Sequence, residues 1–203
     1  MFDGVGRRQD ATRGLLVNIG QHSLNGYERN VLFRNDGDGT FTDVAFVNGV
    51  DRVEDGRGLS IFDYDRDGQL DLLLRNYRQP AQLLHNLGGH GHWIQLRLIG
   101  VRSNRDAVGA RVRLQTPTRS QTREVSAGSA YLSGQSLVQH FGLGKETMAA
   151  EVDIRWPSGL RTSLRDLAAD RRYTVVEGSE TPFPARAQRI TARSGPRRAS
   201  GSR

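Results

Sequence analysis

Four carboxylates stand at alternating or near-alternating positions in one short segment, Asp63-Tyr64-Asp65-Arg66-Asp67-Gly68-Gln69-Leu70-Asp71. Counted from Asp63 they occupy positions 1, 3, 5 and 9, with glycine at position 6. A loop of this kind can turn its odd positions inward around one hard cation. The glycine permits the tight bend, and the backbone carbonyl of Gln69 at position 7 can add a further oxygen. Every candidate donor is oxygen, with no thiol or imidazole in the segment, so the chemistry indicated is Ca²⁺ binding. The competing reading is an Asp- and Gly-rich hairpin turn that binds nothing, since both residues favour turns for backbone reasons. That reading does not require carboxylates at alternate positions. The loop is not an EF-hand, because position 12 is Leu74 where a bidentate glutamate is needed, and its flanks read as strands.

Those flanks are what must position the carboxylates. Gly58-Leu59-Ser60-Ile61-Phe62 reads as a strand entering the loop, and Leu70 to Leu74 as a strand leaving it. Upstream, Asn35-Asp36-Gly37-Asp38-Gly39-Thr40-Phe41 reads as a hairpin turn opening onto a strand over 41–44. The first 87 residues repeat imperfectly. Leu15-Leu16-Val17-Asn18 is echoed by Leu72-Leu73-Leu74-Arg75-Asn76, and Val31-Leu32-Phe33-Arg34-Asn35 by Gln82-Leu83-Leu84-His85-Asn86. The offsets of 57 and 51 residues lie near the spacing of propeller blades.

From Gly91 the pattern changes. Trp93-Ile94-Gln95-Leu96-Arg97-Leu98-Ile99 places Ile94, Leu96 and Leu98 on one face and Gln95 and Arg97 on the other. Residues 110–114 and 151–156 alternate in the same way. Further strands fit 123–126, 137–141, 161–164 and 173–177, with one helical turn near Leu164–Ala169. Short alternating strands separated by turn signals predict a small antiparallel sandwich. The expected fold class is therefore all-β throughout.

Composition sets outer bounds. The 203 residues suffice for one large or two small domains, and no window is apolar enough for a transmembrane helix. The start of the chain lacks the apolar core of a signal peptide. The absence of cysteine excludes disulfides, thiolate metal sites and cysteine nucleophiles. Net charge is +7, of which residues 179–203 carry +5, leaving the remainder nearly balanced. That C-terminal stretch, rich in Arg, Ser, Ala and Pro, has little apolar surface to offset ordering entropy and reads as a disordered, solvated tail. It lacks the interleaved aromatics expected of a nucleic-acid binder.

Other constellations carry weaker chemistry. His90-Gly91-His92 reads as a linker running into a strand rather than a metal pair, and His140 as a structural histidine at a strand end. Ser129, Ser133 and Ser136 do not form a nucleophile elbow. Trp156, before Pro157-Ser158-Gly159, anchors a core, the alternative being a surface ring that stacks on a sugar. No P-loop or dinucleotide pattern is present. The clustered acids of the loop are poor general acids, because a bound cation holds them ionised.

The segment 30–86, with its Asn-Asp-Gly-Asp-Gly-Thr-Phe turn and aspartate loop, resembles FG-GAP/VCBS-type repeats. The second region resembles the ASPIC/UnbV domain. The matching stretches are His92-Trp93, Ser103–Val112, Gln121–Val125, His140–Gly144 and Ile154–Gly159. This family includes secreted cartilage acidic protein-like proteins and bacterial proteins encoded with enediyne biosynthesis. The resemblance implies partial β-propeller blades over 1–89, with Ca²⁺ held by Asp63, Asp65, Asp67, Asp71 and the Gln69 carbonyl. It further implies an ASPIC/UnbV-like β domain over 90–178, followed by the tail over 179–203. A closed propeller needs about four to eight blades, so the chain is expected to be a C-terminal piece of a longer protein or a truncated relative. The missing blades would then come from a longer parent chain or from self-association. The function implied is non-enzymatic: a calcium-binding, extracellular or envelope module for adhesion or scaffolding with a protein or glycan ligand. The alternative is an accessory protein of enediyne-type biosynthesis, which would show a deep pocket with convergent polar groups in the second domain.

Overall fold

A computed structural model describes residues 28–89, 91–129 and 133–185. All regular structure among them is β, as alternation and turn spacing predict. No helix of the described residues is long and apolar enough to cross a membrane. The chain divides into two compact units. One comprises residues up to Leu59 together with Leu74–Leu84, and the other Ser60–Leu73 together with residues from His85 onward.

In the first unit, β1 (Phe33–Asn35) and β2 (Phe41–Asp43) form an antiparallel hairpin with Asn35 opposite Phe41. The Asp-Gly turn between them satisfies its own carboxylates. Asp36 accepts from Arg34 Nε at 2.9 Å and Thr42 Oγ1 at 2.6 Å, and Asp38 accepts from the Thr40 amide at 2.9 Å and its hydroxyl at 2.6 Å. These bonds hold both carboxyls below their ordinary range, Asp36 through Thr42 first and Asp38 through Thr40. The turn-only reading therefore applies to this segment. The chain continues through β3 (Gly56–Phe62), β4 (Asp71–Asn76) and β5 (Gln82–Leu84), hydrogen-bonded in that order. The division between the units falls inside β3 and β4. The earlier half of the repeat, Leu15–Asn18, lies outside the described residues.

The second unit contains two four-stranded sheets. Its strands are β6 (His92–Ile99), β7 (Arg111–Gln115), β8 (Ser120–Glu124), β9 (Gln139–Gly144), β10 (Met148–Arg155), β11 (Arg161–Ala168), β12 (Arg171–Val176) and β13 (Phe183–Ala185). The orders are β11-β10-β7-β8 and β13-β12-β6-β9. Inward residues of both sheets, among them Leu96, Val112, Leu114, Phe141, Val152, Ile154 and Val175, join in one buried cluster. Each Leu, Ile, Val or Phe fully buried there contributes about 1.5–3 kcal/mol. Trp156 is in this core, 1% exposed, with Nε1 donating to Thr162 Oγ1 at 2.9 Å. It anchors the core as expected and has no free face for a sugar.

Three features differ from the pattern-based expectation. The pair β6/β12 is parallel, Leu96 lying opposite Tyr173. A parallel pair needs a long crossover, and here the intervening chain supplies it by building the other sheet and adding β9 to this one. The helical turn expected near Leu164–Ala169 is instead the end of β11. Asp166 takes a φ of 55°, and this lets Leu167 turn inward three residues after Leu164, which mimics helical spacing. Finally, β13 lies within the stretch read as a disordered tail. Its backbone pairs with the edge of β12, Thr174 opposite Phe183, and edge pairing needs no apolar side chain. The tail beyond residue 185 lies outside the described residues.

Candidate metal centre

The aspartate loop connects β3 to β4, and its carboxylates hold its shape. Asp65 Oδ1 accepts from the Asp67 amide at 3.2 Å and Asp67 Oδ1 from the Gln69 amide at 2.8 Å. Asp63 Oδ2 reaches across to the Gly68 amide at 3.1 Å. Asp71, 1% exposed, closes both ends: Oδ2 accepts from the Tyr64 amide at 3.0 Å and Oδ1 from the Asn86 amide at 2.9 Å. Two residues, Arg66 (φ 65°) and Gly68 (φ 91°), take left-handed backbone to make the turn.

The loop is seated on β6. A Cβ added at Gly68 would overlap the Trp93 indole, so only glycine fits there. Gln95, on the same face as Trp93, is 2% exposed although it belongs to the polar face of its strand. Its Nε2 donates to Asp63 Oδ2 at 2.7 Å, and its Oε1 accepts from Arg172 Nε at 2.7 Å. The loop thus turns a polar strand face into a second buried layer.

Ligand atoms of Asp63, Asp65 and Asp71 all lie within 4.8 Å of one another, as do those of Asp65, Asp67 and His85. Asp63 Oδ1 is buried and, among the described residues, has no hydrogen-bond partner. Burial raises the Asp63 carboxyl above its ordinary range, and the neighbouring Asp67 charge pushes the same way. A buried carboxylate oxygen without a donor is costly, and a cation would meet that need. Asp63, Asp65 and Asp71 stand in one group and Asp65 and Asp67 in the other, all oxygen donors of the kind calcium takes. Gln69 follows in the same loop, its amide tied to Asp67.

Sequence reasoning missed His85, whose Nε2 stands 3.5 Å from Asp65 Oδ2 and whose ring meets Tyr64 edge-on at 5.1 Å. Imidazole nitrogen is a poor calcium donor, and these contacts make His85 a support for the loop wall. Gln95 and Asn86 were missed as well. His92, expected to open a strand, begins β6 with Nδ1 at 2.7 Å from Asp170 Oδ2, while His90 lies outside the described residues.

Two family matches correspond to this architecture: an FG-GAP-like repeat over residues 16–74, and ASPIC and UnbV over residues 100–182. The chain is thus similar to an FG-GAP-like repeat in its earlier part and to ASPIC and UnbV in its later part. The aspartate loop lies within the first match. Cartilage acidic protein 1 of Homo sapiens is 35% identical over 139 residues, covering 64% of this chain and 21% of the human protein. The Mus musculus protein of the same name is 34% identical over the same share. The Xenopus tropicalis protein is 43% identical over 63 residues, 30% of this chain and 10% of its own length. The chain therefore spans about a fifth of the length of the human and mouse relatives.

Within the residues that match ASPIC and UnbV, Glu177 ties together two of the stretches that carried the resemblance. Its Oε2 accepts from the amides of Val101, Arg102 and Ser103 at 2.7, 2.7 and 2.8 Å. Its Oε1 accepts from Ser103 Oγ at 2.8 Å and from Ser158 Oγ. Burial alone would raise this carboxyl, but the hydrogen bonds outweigh it and bring the pKa down to about 2. No local signal marked Glu177, because its amide partners lie some 75 residues earlier in the chain.

Proposed function

We propose that the chain is a calcium-stabilised, non-enzymatic binding module, part of an extracellular or envelope protein. The observation that carries this reading is the convergence of Asp63, Asp65 and Asp71, together with a buried Asp63 oxygen that has no partner among the described residues. Asp63, Asp65, Asp67, Asp71 and the Gln69 carbonyl would hold the ion. Bound Ca²⁺ supplies charge neutralisation and a crosslink between the end of β3 and the start of β4. The aspartates serve structure in this reading, and clustered carboxylates committed to a cation are not available for proton transfer. The relatives named cartilage acidic protein 1 support an extracellular setting. The sheet β3-β4-β5 and the hairpin β1–β2 are parts of propeller blades, the remaining blades coming from a longer chain or a second copy. The partner is a protein or glycan bound by the assembled module.

Calcium titration by calorimetry, with melting curves in Ca²⁺ and in EDTA, tests the reading. A site of about 10⁻⁴–10⁻³ M affinity in about 10 mM Ca²⁺ stabilises by about 1.4–2.7 kcal/mol. Asp65→Ala removes a ligand that is not needed to tie the loop ends, so this variant should fold and lose the calcium-dependent rise in Tm. A wild-type protein that is folded yet gives neither heat nor shift would overturn the proposal.

A further inference from the structure

Beside the aspartate loop, within the second unit, lies an open cleft of about 850 Å³, a size suited to a small organic ligand (about 300–1,000 Å³). Its polar wall is built on Gln95, the buried amide that joins Asp63 to Arg172. Among the described residues, Arg172 has no carboxylate partner. Its one side-chain hydrogen bond to those residues is from Nε to the neutral Gln95 oxygen at 2.7 Å. The guanidinium is half-buried, and burial draws its pKa below the ordinary arginine value, with Arg66 and Arg97 adding repulsion and Asp63 offsetting it. A half-buried cation whose acceptor is a neutral amide has no directly paired counterion, Asp63 acting only across Gln95. Because Gln95 occupies Nε, the fork left for an anion is the end-on pair, Nη1 and Nη2.

The charge of the lining specifies what kind of anion. Arg66, Arg123 and Arg172 face two carboxylates, Asp63 and Glu124. His140 adds no charge at neutral pH, since burial, with the Arg123 charge, lowers its pKa to about 4. The arginines outnumber the carboxylates of the lining, which calls for an anion, and the apolar residues beside them favour an organic one over inorganic phosphate. Gln95 Nε2 approaches His140 Nδ1 at 3.5 Å. If that nitrogen accepts, the proton of the neutral ring sits on Nε2. Phe62, Leu70 and Val138 supply apolar lining.

We propose that this cleft binds an organic carboxylate, held end-on by Arg172 with Arg66 and Arg123 beside it and with its apolar body against Phe62, Leu70 and Val138. The site goes beyond calcium binding: Arg123 and Arg172 are placed by β8 and β12, with Gln95 on Arg172, and only Arg66 comes from the aspartate loop.

The test uses the full chain in saturating Ca²⁺ and follows the Trp93 indole N–H and Arg172 Nε–H signals by NMR. Trp93 is a suitable reporter because its ring stacks on His140 at 6.2 Å. The probes are D-glucuronate and phenylacetate, each with its uncharged counterpart, D-glucose and phenylacetamide. At least one acid should give saturable shifts, with the neutral counterpart at least about tenfold weaker. Which acid binds tells a sugar acid from a non-sugar one. Arg172→Gln should abolish the shifts, and Arg172→Lys, which keeps the charge but loses the fork, should weaken them at least about tenfold. Should Arg172→Gln fail to fold, Arg172→Lys and Arg123→Gln carry the test. The proposal is overturned if neither acid gives saturable shifts, if folded variants bind as tightly as wild type, or if inorganic phosphate binds more tightly than both acids.

Discussion

Replacing Gly68 by alanine probes the seat of the metal loop directly. Two costs arise at this position. Gly68 has a φ of 91°, and an L-residue in left-handed backbone costs about 1–2 kcal/mol. The new methyl would also overlap the Trp93 indole. That ring is 8% exposed and stacked on His140, so it has little room to withdraw, and such overpacking costs about 1–3 kcal/mol. Gly68→Ala should therefore destabilise by about 2–5 kcal/mol. Gly159 is a matched control in the same unit, with a φ of 90° and no atom within 4 Å of an added Cβ. Gly159→Ala should show the backbone cost alone, about 1–2 kcal/mol. Urea unfolding in EDTA, followed by tryptophan fluorescence, measures both, and the difference between them isolates the loop–Trp93 contact. A Trp93→Leu background should shrink that difference, because the smaller side chain removes the overlap. Equal costs for the two glycine variants would show that the loop does not rest on Trp93, and the placement of the carboxylates would lose its support.

Two further predictions concern acid. His140 has a folded pKa of about 4, below its ordinary 6.5, through burial first and the Arg123 charge second. The unfolded chain therefore binds the proton first. Stability should be full above about pH 6.5 and fall by up to about 3 kcal/mol as the pH drops toward 4. His140→Gln should flatten that limb of a pH series of urea midpoints, and an unchanged slope would mean that the ring is not held neutral. Glu177 has a folded pKa of about 2 against an ordinary 4.5, where hydrogen bonds to its carboxylate outweigh the opposing effect of burial. Its contribution should be complete above about pH 4.5 and disappear as the pH falls through 2. Glu177→Gln should cost on the order of 2 kcal/mol at neutral pH and remove the stability change below pH 4.5. A variant that keeps the wild-type acid limb would refute the role given to this carboxylate.

The aspartate loop could be read from sequence because its candidate ligands come from one contiguous run. Their spacing is a local property, and Gly68 marks where the backbone must turn left-handed. The all-β character was legible for the same reason, since alternation at residues 94–98, 110–114 and 151–156 reports one buried face of each strand. Where the local signal was ambiguous the reading went astray: Leu164 and Leu167 have helical spacing, yet both lie in β11, brought to one side by the positive φ of Asp166.

The family matches at residues 16–74 and 100–182 follow the sequence pattern, whereas the compact units divide inside β3 and β4. The two divisions differ because the loop between those strands packs on Trp93 and Gln95, and side-chain fit of that kind leaves no periodic trace. The strands, the turn and the carboxylate spacing are set by neighbouring residues and can be read along the chain. Folding is needed to bury Gln95, to bring Arg172 and Asp63 to either side of it, to set His85 beside the loop and to gather three distant amides on Glu177. Those contacts join residues 20 to 77 positions apart, and what selects them is the need of buried polar groups for partners once the sheets have closed.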